Sequence, residues 1–143
     1  MSRSFTLPLL CAMLAACSPN APKISAHDAW ARATGGSDMA AAYVTIDNKG
    51  GADTLTAVRS TIGEATLHET SMDGGVMRMR PIDPEEGLIV PSNGKLVLGS
   101  GGAHVMIMGL KKPLKAGDKF RMTLMFAKAS PERVPVTVKD AAQ

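Results

Sequence analysis

EATLHETSMDGGVMRMRPI, running from Glu64 to Ile82, is the stretch whose reading decides the fold. Two runs of alternating character flank a turn signal at Asp73-Gly74. A two-residue type I′ turn needs positive φ at both central positions, so Asp-Gly between alternating runs predicts a β-hairpin. With that turn, Met72 faces Gly75, Thr70 faces Met77 and His68 faces Met79. Directly opposed residues have Cβ atoms ~4.5–5.5 Å apart on one face of the sheet.

Outward from the hairpin, the chain continues in short strands separated by Gly, Pro, Asn and Asp. Ile24–Ala33 and Met39–Asn48 read as the first two strands, with Gly35-Gly36-Ser37-Asp38 between them, and Thr54–Ile62 as the third. Beyond the hairpin, Pro81–Pro91 reads as an irregular acidic loop. Lys95–Leu98, Ala103–Gly109, Phe120–Lys128 and Val134–Val138 complete the strands. No helical period interrupts them, and short strands at regular spacing predict a single all-β sandwich or barrel. With aromatic residues at only 3% of 143, the core must come from Val, Leu, Ile, Ala and Met. A net charge of +3, with no aromatics interleaved among the basic residues, argues against a nucleic-acid partner.

The amino terminus has its own logic. Residues 1–17, MSRSFTLPLLCAMLAAC, have a basic start at Arg3 and an apolar run too short to span a bilayer, the pattern of a secretion signal. Leu14-Ala15-Ala16-Cys17 resembles the bacterial lipobox, which implies cleavage before Cys17 and its acylation. By the same resemblance, Ser18 after it points to the outer membrane. Residues 18–23 read as a tether, and 24–143 as the folded domain. Both cysteines, Cys11 and Cys17, precede that domain, so it holds no disulfide and no thiolate ligand.

The chemistry-bearing residues are histidines and methionines. In Ala103–Met108, Val105 and Ile107 form one face and His104, Met106 and Met108 the other, by the period of two. In the hairpin, Thr66, His68, Thr70, Met77 and Met79 share a face opposite Leu67 and Val76. Taken singly, a methionine is ordinary core filling. Histidine and methionine on one face twice over, with no thiol nearby, point instead to a metal site. Thioethers are soft donors that favour Cu(I), whereas zinc and iron normally take thiolate, imidazole or carboxylate. A blue-copper electron-transfer centre would need a cysteine. The expected ligands are His68, Met79, His104 and Met106. His27, with no methionine nearby, reads as structural; Met39 and Met72 could flank the metal, while Met122 and Met125 read as packing. Lys111, Lys112, Lys115 and Lys119 read as a solvated basic loop, and Glu85 and Glu86 have no base or nucleophile beside them.

Leu67-His68-Glu69-Thr70, Val76-Met77-Arg78-Met79-Arg80-Pro81 and Gly101-Gly102-Ala103-His104-Val105-Met106 together resemble the periplasmic copper chaperones called PCuAC. Their pattern is His, ten residues, Met, a longer spacer, then His-x-Met. Here His68 and Met79 have that spacing, and 24 residues separate Met79 from His104, a somewhat long spacer. The resemblance also takes in Asp28-Ala29-Trp30 and the Lys112–Asp118 segment. It implies a cupredoxin-like Greek-key sandwich or barrel that binds Cu(I). It further implies delivery of copper to the Cu(A) centre of cytochrome c oxidase, through subunit II or another copper-transfer protein. The expected protein is periplasmic, lipid-anchored to a membrane and not an enzyme. A copper-sequestering protein with no dedicated recipient is the alternative.

Overall fold

The computed structural model describes residues 20–140. The signal segment and Cys17 lie outside the described residues. The described chain is all β: β1 (Ile24–Arg32), β2 (Ala40–Asn48), β3 (Asp53–Ser60), β4 (Glu64–Asp73), β5 (Val76–Pro81), β6 (Leu88–Val90), β7 (Gly94–Leu98), β8 (Ala103–Met108), β9 (Lys119–Phe126) and β10 (Glu132–Lys139). Hydrogen bonding orders the strands β5-β4-β8-β2-β1-β10-β9-β3-β6, with β7 also on β2. β1 and β10 run parallel and every other pair antiparallel. Repeated pairing of strands distant in sequence gives the Greek-key sandwich that the short, regularly spaced strands predict.

The sheet curls around one aliphatic core. Ala42, Val44 and Ile46 of β2, Leu67 of β4 and Val105 and Ile107 of β8 meet Leu55 and Val58 of β3, Met122 and Leu124 of β9 and Val134, Val136 and Val138 of β10. The period-two pattern is visible in β10, where alternate residues from Val134 to Val138 are buried. β6 lies inside the stretch expected to be an irregular loop. Leu88, Ile89 and Val90 pair with Leu55, Thr54 and Asp53, and Val90 is fully buried. Three apolar residues between Gly87 and Pro91 make a weak strand signal, and burial against β3 decides the outcome.

The hairpin forms with its turn displaced by one residue. Gly74 and Gly75, at φ 58° and 82°, are the central pair, so Asp73 faces Val76, Met72 faces Met77, Thr70 faces Met79 and His68 faces Pro81. The expected His68–Met79 and Thr70–Met77 oppositions are therefore incorrect. The left-handed conformation costs roughly 1–2 kcal/mol at a residue with a Cβ and nothing comparable at glycine. The chain accordingly turns on Gly-Gly and leaves Asp73 extended. Moving the turn by one residue shifts each cross-strand partner by two, so every side chain keeps its face.

At the Asn48 end of β2, the first described residues are held down. Lys49 N–H donates to Lys23 O, Gly51 N–H to Ala21 O, and Lys23 N–H to Asn48 Oδ1. A Cβ on Gly50 or Gly51 would collide with the backbone of Ala21 or Asn20, so this strap needs glycine beneath it. Asn48, almost wholly buried, also donates to Gly51 O and Pro91 O and accepts from Gly50 N–H.

Candidate metal centre

His68 on β4 lies directly opposite His104 on β8. Both are on the face turned away from the core, since the adjacent Leu67–Val105 pair is buried inside. The two imidazole centroids are 5.9 Å apart with planes inclined at 49°, close enough to present nitrogens to one ion between them. His104 is only 5% exposed. Tyr43 of β2 walls it on the far side, 6.5 Å between centroids, and Trp30 of β1 packs on Tyr43 at 4.5 Å.

A hydrogen bond orients each ring and leaves the other nitrogen free. His104 Nδ1 is 3.1 Å from Gly102 O. A carbonyl only accepts, so Nδ1 carries the proton and Nε2 keeps the lone pair. Gly102 O is itself fixed, because Thr70 N–H donates to it at 3.2 Å. His68 Nε2 is 3.0 Å from Thr66 Oγ1, whose hydroxyl points on to Met106 O at 3.5 Å. With the hydroxyl proton directed at that carbonyl, Thr66 accepts from His68 Nε2–H, and the lone pair falls on Nδ1. That Nδ1 is buried and has no hydrogen-bond partner. A buried polar atom so stranded costs about 1–3 kcal/mol, which ligation of an ion would relieve. Burial, with a smaller contribution from His104, holds the His68 pKa below the usual histidine range. The ring is therefore neutral near pH 7 and competent to ligate.

Two methionines flank His68 on opposite diagonals. Met106 faces Thr66 on β4, and Met79 faces Thr70. Diagonal neighbours are ~7–8 Å apart, within reach of a long side chain. Met106 is half-buried, whereas Met79 on the edge strand is 52% exposed. Sequence reasoning thus placed all four side chains on the correct face but opposed the wrong pair: the histidines face each other, and neither faces a methionine. Thr66 and Gly102, which fix the two tautomers, were missed. Thr66 stands two residues before His68 on the same face, a signal visible in the sequence; the Gly102 carbonyl left none. Among the described residues, no three His, Cys, Asp or Glu side chains gather where they could hold a metal. Met79 and Met106, diagonal to His68, are thioethers that could add donors to the two imidazoles. A hollow of about 370 Å³ between β3 and β4 takes in Thr66 and Pro81 but neither histidine.

The remaining candidates stand apart. His27 on β1 is held between Asp28 Oδ2 at 2.7 Å and Asp47 Oδ2 at 2.8 Å. These carboxylates, Asp28 first, raise its pKa above the usual range. Met108 faces Glu64, Met39 is exposed just before β2, and Met122 is fully buried in the core with Met125 half-buried. Glu86 is engaged by Arg80 at 3.0 Å, and Lys111, Lys112 and Lys115 are exposed.

Comparison with known proteins agrees with this architecture. The model of the family described as "Putative lipoprotein LpqE-like" matches residues 24–138. "Putative lipoprotein Lxx21020" of Leifsonia xyli subsp. xyli (strain CTCB07) is 37% identical over 119 residues, covering 82% of this chain and 70% of that protein. Among solved structures, the apo PCuAC domain from PmoF1 superposes with a TM-score of 0.66 at 27% identity, covering 85% of this chain and 97% of that one. The Cu(I) form of DR1885 from Deinococcus radiodurans gives 0.61 at 29% identity, covering 80% and 77%. The copper-bound PCuAC domain from PmoF2, 23% identical with a TM-score of 0.66 over 82% and 93%, shares the fold. With a family match running from β1 into β10 and PCuAC domains as its structural likenesses, the chain belongs to the LpqE-like lipoprotein family and has the PCuAC fold.

Proposed function

We propose that this protein is a copper chaperone of the cell envelope that carries Cu(I) on His68, His104, Met106 and Met79. The observation that carries the reading is the opposed His68–His104 pair, in which the buried Nδ1 of His68 has no partner. The soft donors beside it, and the likeness to a Cu(I)-loaded protein and to PCuAC domains, support copper as the cargo. His68 and His104 supply the stronger donors and are oriented by Thr66 and Gly102. Met79, exposed on the edge strand, is the donor a recipient reaches first.

Acylation at Cys17 anchors the chain to a membrane, the outer membrane by its lipobox context, with the domain in the periplasm. The family and the Leifsonia relative, both described by the words "Putative lipoprotein", support the anchor. The recipient is a copper-accepting protein, and the Cu(A) centre of cytochrome c oxidase subunit II fits a donor of this kind. Two thioethers bias the ion toward Cu(I) rather than a cycling oxidation state, and we read the protein as a carrier rather than an enzyme.

Cu(I) titration against a chromophoric chelator tests the centre. His68→Ala and His104→Ala should each weaken binding sharply. Met79→Leu and Met106→Leu should weaken it less while leaving the apo melting temperature nearly unchanged. Undiminished affinity in both histidine variants would end the proposal. Transfer to apo Cu(A) protein distinguishes delivery from sequestration.

A further inference from the structure

The register of the β4–β5 hairpin gathers Met79 with two further methionines, Met72 and Met77, that the histidine centre does not use. Met72 on β4 faces Met77 on β5, and Met79 stands two residues along β5 on the same face. Ile82 N–H donates to Leu67 O across these strands. Ladder bonds alternate in an antiparallel pair, so Met72–Met77 is a non-hydrogen-bonded pair, the kind whose side chains approach most closely. Met79 is a diagonal neighbour of Met72, at ~7–8 Å. Three flexible thioethers thus stand at the corners of a small triangle.

All three are strongly exposed, at 66%, 65% and 52%. Burial therefore does not explain them, in contrast to Met122 in the core. Charge is segregated from them. Arg78, Arg80, Glu69 and Asp73 point to the other face, where Arg80 pairs with Glu69 and Glu86, and Arg78 approaches Asp73. Along the hairpin itself, the face that carries the methionines is otherwise made of His68, Thr70 and Pro81. Three uncharged soft donors of this kind suit a soft monovalent cation.

We propose that Met72, Met77 and Met79 form a second Cu(I) site, made of thioethers alone, at the tip of the hairpin. Met79 belongs to both sites, being diagonal to His68 on one side and to Met72 on the other. The tip is then an outer station through which the ion enters or leaves the histidine centre. The proposal takes the identity of the ion from the function proposed above, but not its location.

The test is Cu(I) titration of the full chain, with X-ray absorption to read the donor atoms. Wild type should take up about two equivalents, the second more weakly, as thioether-only coordination predicts. Met72→Leu/Met77→Leu keeps the apolar bulk of an exposed tip and should fold normally. It should lose one equivalent and keep a mixed nitrogen–sulfur site. His68→Ala/His104→Ala should keep one equivalent bound by sulfur only. The proposal is overturned if wild type saturates at one equivalent with nitrogen ligands, if the double leucine variant still binds two, or if the double alanine variant binds none. Should the histidine centre be the part in error, wild type and the double alanine variant will bind the same single sulfur-ligated ion, and the tip site stands.

Discussion

At the scale of single residues, the centre depends on which nitrogen of each imidazole carries the proton. Thr66 and Gly102 make that choice, so Thr66→Val, which removes the hydroxyl and keeps the shape, should lower Cu(I) affinity about tenfold. Apo stability should fall by about 1–3 kcal/mol at most, because valine strands His68 Nε2–H, and equilibrium competition measures the affinity while urea unfolding measures the stability. His27 and His68 also offer an internal comparison by NMR titration. His27, clasped by Asp28 and Asp47, should titrate above the free value of ~6.5, and His68, desolvated, below it. For His68 the sign matters: a depressed pKa keeps the ring neutral as pH falls through 6.5. Proton competition at that ligand therefore begins only at lower pH. For His27, protonation is favoured in the folded state, so its small stabilising contribution is present below ~6.5 and lost as pH rises through its raised pKa. If His68 titrates above His27, the environments described for them are wrong.

At the scale of elements, the hairpin has two halves of different strength. β4 is clamped by β8 from Glu64 to Glu69, whereas Ser71 to Val76 extend past the last β8 partner, Ala103. A two-stranded ribbon without a covering layer is marginal, so amide exchange should be fast from Ser71 to Met77 and slow at Leu67 and His68. Cu(I) should slow exchange at the tip if it binds there. Leu67→Ala, deleting a core side chain from the clamped half, should cost about 2–5 kcal/mol. Gly75→Ala, at φ 82°, should cost roughly 1–2 kcal/mol, confined to the hairpin. Much of this element was legible in the sequence. Alternation gave both strands and both faces, because Leu67 and His68 could not share one. The register was not legible, since Asp73-Gly74 and Gly74-Gly75 both satisfy the two-residue turn and only the cost of positive φ at Asp73 separates them. β6 was hidden for another reason: Leu88-Ile89-Val90 is an unbroken apolar run without alternation, too short to stand out between Gly87 and Pro91.

At the scale of the whole molecule, strands remote in sequence are joined by few polar ties, and Asn48 is the densest of them. It links the amino-terminal strap, the turn after β2 and Pro91 before β7. Asn48→Ala should destabilise the fold by roughly 2 kcal/mol or more, because several buried backbone groups lose their partner at once. Copper affinity measured below the melting transition should be unchanged, since Asn48 touches neither histidine. No such tie could be read from sequence, where Asn48-Lys49-Gly50-Gly51 signals a turn and nothing more. The strap has a mechanical consequence. Backbone bonds grip the chain from Ala21 onward, and Cys17 precedes Asn20 by three peptide links, a leash of at most about 11 Å. The strap lies at the Asn48 end of β2, and the register Ala42–Val105–Leu67 carries the methionine tip of the hairpin toward that same end. If Cys17 is acylated as proposed, the domain is moored short, and the end that carries the strap and the hairpin tip can move no further from the bilayer than that leash allows.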